Sequence, residues 1–174
     1  MAMGKDPVER ILGIDPGLQS VGWGLIDSQN RQAVLVQYGV ITTSAKHPFS
    51  QRLKTIYEGI EEIIRLYQPD RMVYEQVIYC QNISIALSLG QARGAIIVAG
   101  ARLDLPMTEY TPTEIKNAIV GRGRATKEQV QKMVQLLLHL DELPQPDHAA
   151  DALAAALTYV HAKKLNELLL QHRR

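Results

Sequence analysis

The chain has 174 residues, 46% hydrophobic and 21% charged, with a formal net charge of +1 and a single cysteine. That length supports one domain with a properly buried core, and the balance excludes the disordered, low-complexity and disulfide-stapled classes. Near-neutral bulk charge does not announce a nucleic-acid binder. We expect no apolar run near the ~20 residues needed to cross a membrane, no secretory leader, and, from the lone Cys80, a reducing cytoplasm.

Residues 1–9 carry no periodicity and read as a flexible leader. Arg10–Ile14 is a short apolar strand broken by Pro16-Gly17, and Val21–Ile26 is a glycine-containing strand. Asp27–Arg31 supplies polar turn chemistry before a third strand, Ala33–Thr42. Then the period changes. Leu53, Ile56, Tyr57, Ile60, Ile63, Ile64 and Tyr67 recur at spacings of three and four, which predicts an amphipathic helix ending before Pro69.

Met72–Val77 is a compact apolar strand interrupted by Glu75. Ile83–Ala101 is helical and nearly free of charge, Pro106–Tyr110 is a short strand, and Thr113–Val120 a short helix. After the basic loop Gly121-Arg122-Gly123-Arg124, Thr126 and Gln129 give a capping-box signal for a helix buried through Leu137. Leu143–Pro146 breaks it, and Asp147 opens a last helix through Val160. The order βββαβαβααα predicts one α/β domain over residues 10–162, with a basic tail over 163–174. An N-terminal antiparallel meander is expected to gain parallel strands beside its first strand.

Three carboxylates sit where packing alone would not place them. Asp15 ends the apolar run Ile11–Ile14, Glu75 interrupts a strand, and Asp151 lies among alanines of the last helix. Burying a lone carboxylate is costly unless something pairs with it. Each alone fits a structural ion pair equally well. Three together, in separate elements of a small domain, argue for a shared counter-charge. Asp15 and Glu75 both occupy carboxyl ends of strands, where parallel sheets gather functional residues.

His148 and Asp151, three apart, share a helix face beside Asp147. A local first-turn hydrogen bond is the competing reading of His148. An oxygen-rich set with one imidazole suits Mg²⁺ or Mn²⁺ rather than a closed zinc site. Carboxylates bridging two cations about 4 Å apart serve in-line phosphoryl transfer. Lys116, Arg122, Arg124, Lys127 and Lys132 form a basic strip relieved only by Glu128. Such a strip fits a polyanionic substrate, although a solvated loop and helix face look the same.

The segments Ile11-Leu12-Gly13-Ile14-Asp15-Pro16-Gly17, Tyr74-Glu75-Gln76-Val77, Leu89-Gly90-Gln91-Ala92-Arg93-Gly94 and Asp147-His148-Ala149-Ala150-Asp151-Ala152-Leu153 together resemble the RuvC family of bacterial Holliday-junction resolvases. The resemblance runs from about Ile11 to His161, in order and spacing. It implies an RNase H-like three-layer α/β fold with a five-stranded mixed sheet flanked by helices, acting as a homodimer in the cytoplasm. Family members nick two opposed strands of a four-way DNA junction symmetrically, leaving 5′-phosphate and 3′-hydroxyl ends, and work with a branch-migration motor of the RuvA and RuvB type.

Carried over by motif, the metal-binding catalytic set is Asp15, Glu75, His148 and Asp151. It is expected to hold two Mg²⁺ or Mn²⁺ ions. One, on Asp15 with His148 or Asp151, would activate a water. The other, on Asp15 and Glu75, would stabilise the leaving 3′-oxygen. Lys116 and Lys127 match basic positions near the scissile strand, and the helix containing Leu89–Gly94 matches the family's dimer contact.

The loop after Glu75 departs from the pattern. Ile78 stands where better-known members have a stacking Phe, with Tyr79 the candidate substitute, and Gln81 replaces a basic residue, while Asn82 is kept. A nucleotide-binding domain of the actin and sugar-kinase type would need a second similar domain, for which 174 residues leave no room. The four filled ligand positions speak against a non-catalytic junction-binding scaffold, and the closest rival is an RNase H-like nuclease with another substrate.

Overall fold

Alternation along β1 (Glu9–Asp15) gives this strand two working faces. Consecutive residues Ile11 and Leu12 are both fully buried, yet they belong to different apolar cores on opposite sides of the sheet. The computed structural model describes residues 7–30, 32–76 and 82–171, with side chains to residue 165. β1 pairs antiparallel with β2 (Ser20–Gln29), which pairs antiparallel with β3 (Gln32–Thr42). α1 (Phe49–Tyr67) buries Ile56, Ile60, Ile63 and Ile64 and stops at left-handed Gln68, just before Pro69.

The chain then returns as β4 (Arg71–Glu75), parallel to β1, and β5 (Met107–Tyr110), parallel to β4. The sheet order is β3-β2-β1-β4-β5, the mixed arrangement expected from the change of period. α2 (Ile83–Ala101) joins β4 to β5 and shares with α1 the core built on Leu12, Ile14, Met72 and Tyr74. The opposite face carries α3 (Pro112–Val120), α4 (Lys127–Leu137) and α5 (Asp147–Gln171) over Ile11, Ile26 and Val73. Two helical layers around one sheet make the three-layer fold.

Several sequence expectations shift. The turn expected over Asp27–Arg31 is largely strand: β2 runs to Gln29, and the reversal sits at Asn30, in the left-handed region at φ 50°. Asp27 is polar because it faces a partner, accepting from Arg10 Nε and Nη2 at 2.8 Å each. Strand β4 ends at Glu75, and Val77 lies outside the described residues. α3 starts one residue early, at Pro112, because Thr111 and Glu114 close a capping box that the sequence reading passed over.

At the ends, β1 begins at Glu9, and α5 continues past residue 162 to Gln171. Glu9 is tied down there, accepting from Tyr159 Oη at 3.1 Å and Lys163 Nζ at 2.7 Å. Residues 1–6 of the expected leader and 172–174 of the expected tail lie outside the described residues.

The expectation of no membrane-length apolar run also fails. α2 is long and apolar enough to cross a membrane by length and composition, since one charge interrupts its 19 residues. In this fold Ala92, Ile96, Ala99 and Gly100 of that helix are buried, while Ile83, Ile85, Leu87 and Val98 are exposed.

Candidate active site

Strand register puts the first two acids side by side. Ile14 pairs with Tyr74 across the parallel β1–β4 ladder, so the next residues, Asp15 and Glu75, end adjacent strands at the same edge. Alternation turns both toward the α5 side, because Ile14 and Tyr74 belong to the α1–α2 core.

The third element arrives by close packing. Gly13 and Gly22 leave no room for side chains: a Cβ on Gly13 would stand 1.9 Å from the Ala152 carbonyl oxygen, and one on Gly22 1.9 Å from that of His148. Ala149, Ala152 and Ala156 of α5 are fully buried in the matching positions. Small residues on both partners let the helix backbone lie directly on the sheet. This seam lowers the first turn of α5 onto the end of β1.

There His148 Nδ1 lies 2.7 Å from Asp15 Oδ2. This contact ties the imidazole at the start of α5 to the carboxylate at the end of β1. Asp15, His148 and Asp151 each offer a ligand atom, all within 4.8 Å of one another. Glu75 stands outside that group. It lines an adjacent cleft of about 230 Å³ with Lys116, Lys127 and Asp151. Lys127 Nζ reaches Asp151 Oδ2 at 3.0 Å and Asp147 Oδ2 at 3.5 Å.

The charges are mutually strained. Burial, with the neighbouring charges of Asp15 and Asp151, pushes the Glu75 carboxyl up to about 7, against the pull of Lys116 and Lys127. Asp15 is also held above the usual carboxylate range. Burial is the largest cause and Asp151 adds to it, while the His148 hydrogen bond and Lys127 oppose. Burial alone would depress the Lys127 ammonium, yet contacts with Asp151 and Asp147 outweigh it and raise its pKa. Desolvated like charges at one strand edge are what a bound cation relieves, and donors of two carboxylates and an imidazole fit Mg²⁺ or Mn²⁺.

The structure brings together Asp15, Glu75, His148, Asp151, Lys116 and Lys127. Arg122 and Arg124 are exposed on the loop between α3 and α4. Asn82 has a structural task as N-cap of α2, its Oδ1 accepting from Ile85 N at 3.2 Å. Ile78, Tyr79 and Gln81 lie outside the described residues. A larger cavity, about 440 Å³, opens on the far edge of the sheet around Glu9, Asp70 and Lys163. Its acids are already engaged, Glu9 by Lys163 and Asp70 by the Arg10 amide.

Sequence reasoning missed the Gly13–Gly22 seam and Arg93. The signal for Arg93 was present, since it is the lone charge in α2.

Comparison with known proteins agrees with this geometry. The family model described as crossover junction endodeoxyribonuclease RuvC matches residues 11–159. The protein of that name from Moorella thermoacetica is 50% identical over 149 residues, covering 86% of this chain and 89% of that protein. The one from Shewanella sp. strain MR-4 is 51% identical over 154 residues, 88% of each. Among solved structures, Thermus thermophilus RuvC in complex with a Holliday junction substrate superposes with TM-score 0.86 at 33% identity, covering 91% of this chain and 96% of that one. The yeast mitochondrial Holliday junction resolvase Ydc2, at TM-score 0.64 and 12% identity over 91% of this chain and 80% of that one, shares the fold.

Proposed function

The chain belongs to the RuvC family of crossover junction endodeoxyribonucleases, and from that premise we infer that it is a Holliday-junction resolvase acting in DNA recombination and repair. The observation that carries the reading is the grouping of Asp15, His148 and Asp151 within 4.8 Å beside Glu75, on a fold shared with a junction-bound relative.

Asp15, Glu75, His148 and Asp151 would hold a pair of divalent cations, Mg²⁺ or Mn²⁺. When bound, such a pair supplies an activated water and stabilises the leaving 3′-oxygen. The protein's own part is positional. Asp15, shared by both groups of ligands, anchors His148 through the Nδ1 contact and so holds the imidazole at the site. Lys116 and Lys127, on α3 and α4 at the cleft wall, would meet the scissile phosphate. Arg122 and Arg124 would extend that contact along the strand, and the loop with Ile78, Tyr79, Gln81 and Asn82 would face the junction centre.

We place the second protomer on α2. Ile83, Ile85 and Leu87 are exposed there, and a Cβ on Gly90 or Gly94 would meet nothing within 4 Å. Glycine inside a helix costs about 1 kcal/mol relative to alanine, and no described residue of the protomer fills the space beside these two. Close approach of another backbone does. A two-fold dimer then presents two sites to a junction's own near two-fold symmetry, which makes paired nicks a matter of geometry. The proposed setting is the cytoplasm, alongside a branch-migration motor of the RuvA and RuvB type.

Cleavage of an end-labelled, mobile-core four-way junction tests the reading, with Mg²⁺ or Mn²⁺ and with linear duplex as control. Paired symmetric nicks confined to the junction, and lost in Asp15→Asn, are expected. Equal nicking by Asp15→Asn would overturn the site. Binding without cutting in either metal would mean a scaffold.

A further inference from the structure

The single charge of α2 points back into its own protomer. Arg93 Nη2 donates to Glu109 Oε1 at 2.5 Å, and the guanidinium carbon lies 5.3 Å from the centroid of the Tyr74 ring. Arg93 and Glu109 side chains are 26% and 29% exposed. Tyr74 and Glu109 are cross-strand partners in the parallel β4–β5 ladder, and the next pair is Glu75 and Tyr110. Gln76 N prolongs the ladder by donating to the Tyr110 carbonyl at 2.8 Å. One guanidinium thus grips, from the α2 side of the sheet, the residue before Glu75 and the residue opposite that one.

Stability alone is a poor reason for this arrangement. A half-buried ion pair must recover the cost of desolvating both charges, and an apolar pair of similar volume often serves as well. Arg93 Nε is moreover buried with no hydrogen-bond partner among the described residues, a further cost. What an apolar pair would not provide is direction. The planar fork fixes a carboxylate, the ring fixes the plane of the guanidinium, and together they set the end of β4 against α2. Glu75 needs such setting because it is the last residue of its strand, and a ligand must be held within about 0.5 Å of its working position.

We propose that Arg93 is a positioning residue for Glu75: by clamping Tyr74 and Glu109 it holds the carboxyl end of β4 where the Glu75 carboxylate faces Asp15, and it ties that placement to the helix assigned to the dimer. The proposal rests on the reading of Glu75 as a metal ligand.

The test is calorimetric titration of the DNA-free protein with Mn²⁺ alone. Arg93→Gln and Glu109→Gln should each weaken Mn²⁺ binding about tenfold, the scale of losing an outer support of a metal ligand. The double variant should be no weaker than either single, because both remove one clamp. Arg93→Lys, which keeps the charge but not the fork, should recover part of the loss. In a Glu75→Gln background, Arg93→Gln should have no further effect.

Equal weakening with and without the Glu75 carboxylate would reduce Arg93 to a structural residue and overturn the proposal. So would wild-type affinity in Arg93→Gln while Glu75→Gln is weakened. Unchanged affinity in Glu75→Gln itself would remove Glu75 from the ligand set, and the proposal with it. Should Arg93→Gln fail to fold, Glu109→Gln carries the same comparison, since it leaves the arginine on its tyrosine.

Discussion

Lys127 Nζ stands 3.0 Å from Asp151 Oδ2, reaching from the first turn of α4 to the second turn of α5. Asp147 Oδ2 lies 3.5 Å from the same ammonium. In the protein without DNA or cation, this lysine is the counter-charge of a carboxylate that a cation would otherwise claim. On the proposed reading, a metal held by Asp151 would compete with Lys127 and free it for phosphate.

This gives Lys127 a measurable signature. Lys127→Ala should lower the slope of log affinity against log salt by about one for junction binding, the share of a single phosphate contact. Lys116→Ala should do likewise. Fluorescence anisotropy across a salt series checks it, and an unchanged slope would count against phosphate contact.

The raised carboxyl of Glu75 makes metal-free stability depend on pH. Burial and the neighbouring acids push it up to about 7 in the fold, from an ordinary 4.5. Between those values the folded state keeps a proton that the unfolded chain has released, so stability falls as pH rises through that window and stays low above it. Below 4.5 the penalty is absent. One pKa unit is about 1.4 kcal/mol, and for this partly solvated group the total should be on the order of 2 kcal/mol. Glu75→Gln should abolish junction cleavage yet stabilise the chelator-treated protein by that amount at pH 8. Urea denaturation of both proteins at pH 5 and 8 reads the difference, and equal pH dependence would refute it.

The glycine seam should be intolerant of one methyl group. In Gly13→Ala the new carbon meets the Ala152 carbonyl oxygen, backbone on backbone, so α5 must lift from β1. Overpacking of this kind costs about 1–3 kcal/mol. Because His148 and Asp151 ride on α5, Mn²⁺ affinity should drop together with the denaturation midpoint.

Bulk at the open glycines of α2 should act on assembly instead. Gly90→Leu and Gly94→Leu should leave the protomer's fold intact while shifting sedimentation from dimer to monomer, with loss of paired nicking. A variant that remains dimeric would move the interface away from α2.

Much of the fold was legible because it follows from local periodicity. The isoleucines of α1 and the alternation of β1 declare which faces are buried, and a strand–helix–strand unit admits few ways to extend a sheet. Where the reading slipped, a distant partner had changed the meaning of a residue. Asp27 looks like a turn residue until Arg10 pairs with it across the strands. No run of membrane length is expected from the sequence, yet α2 is long and apolar enough to cross one, and its first turns are exposed.

The acids Asp15, Glu75 and Asp151 could be picked from the sequence by themselves, because a carboxylate inside an apolar run is anomalous whatever the fold, and the four motifs together specify the family. Only the tertiary structure decided that Asp15 and His148, 133 residues apart, lie in contact at 2.7 Å, and that Glu75 stands beside the tight group rather than inside it. It alone assigned Lys127 to Asp151 and Arg93 to Glu109. The reason is physical: periodicity and capping are set by neighbours a turn away, whereas these distances depend on how closely α5 and α2 settle on the sheet, which small residues on distant segments control.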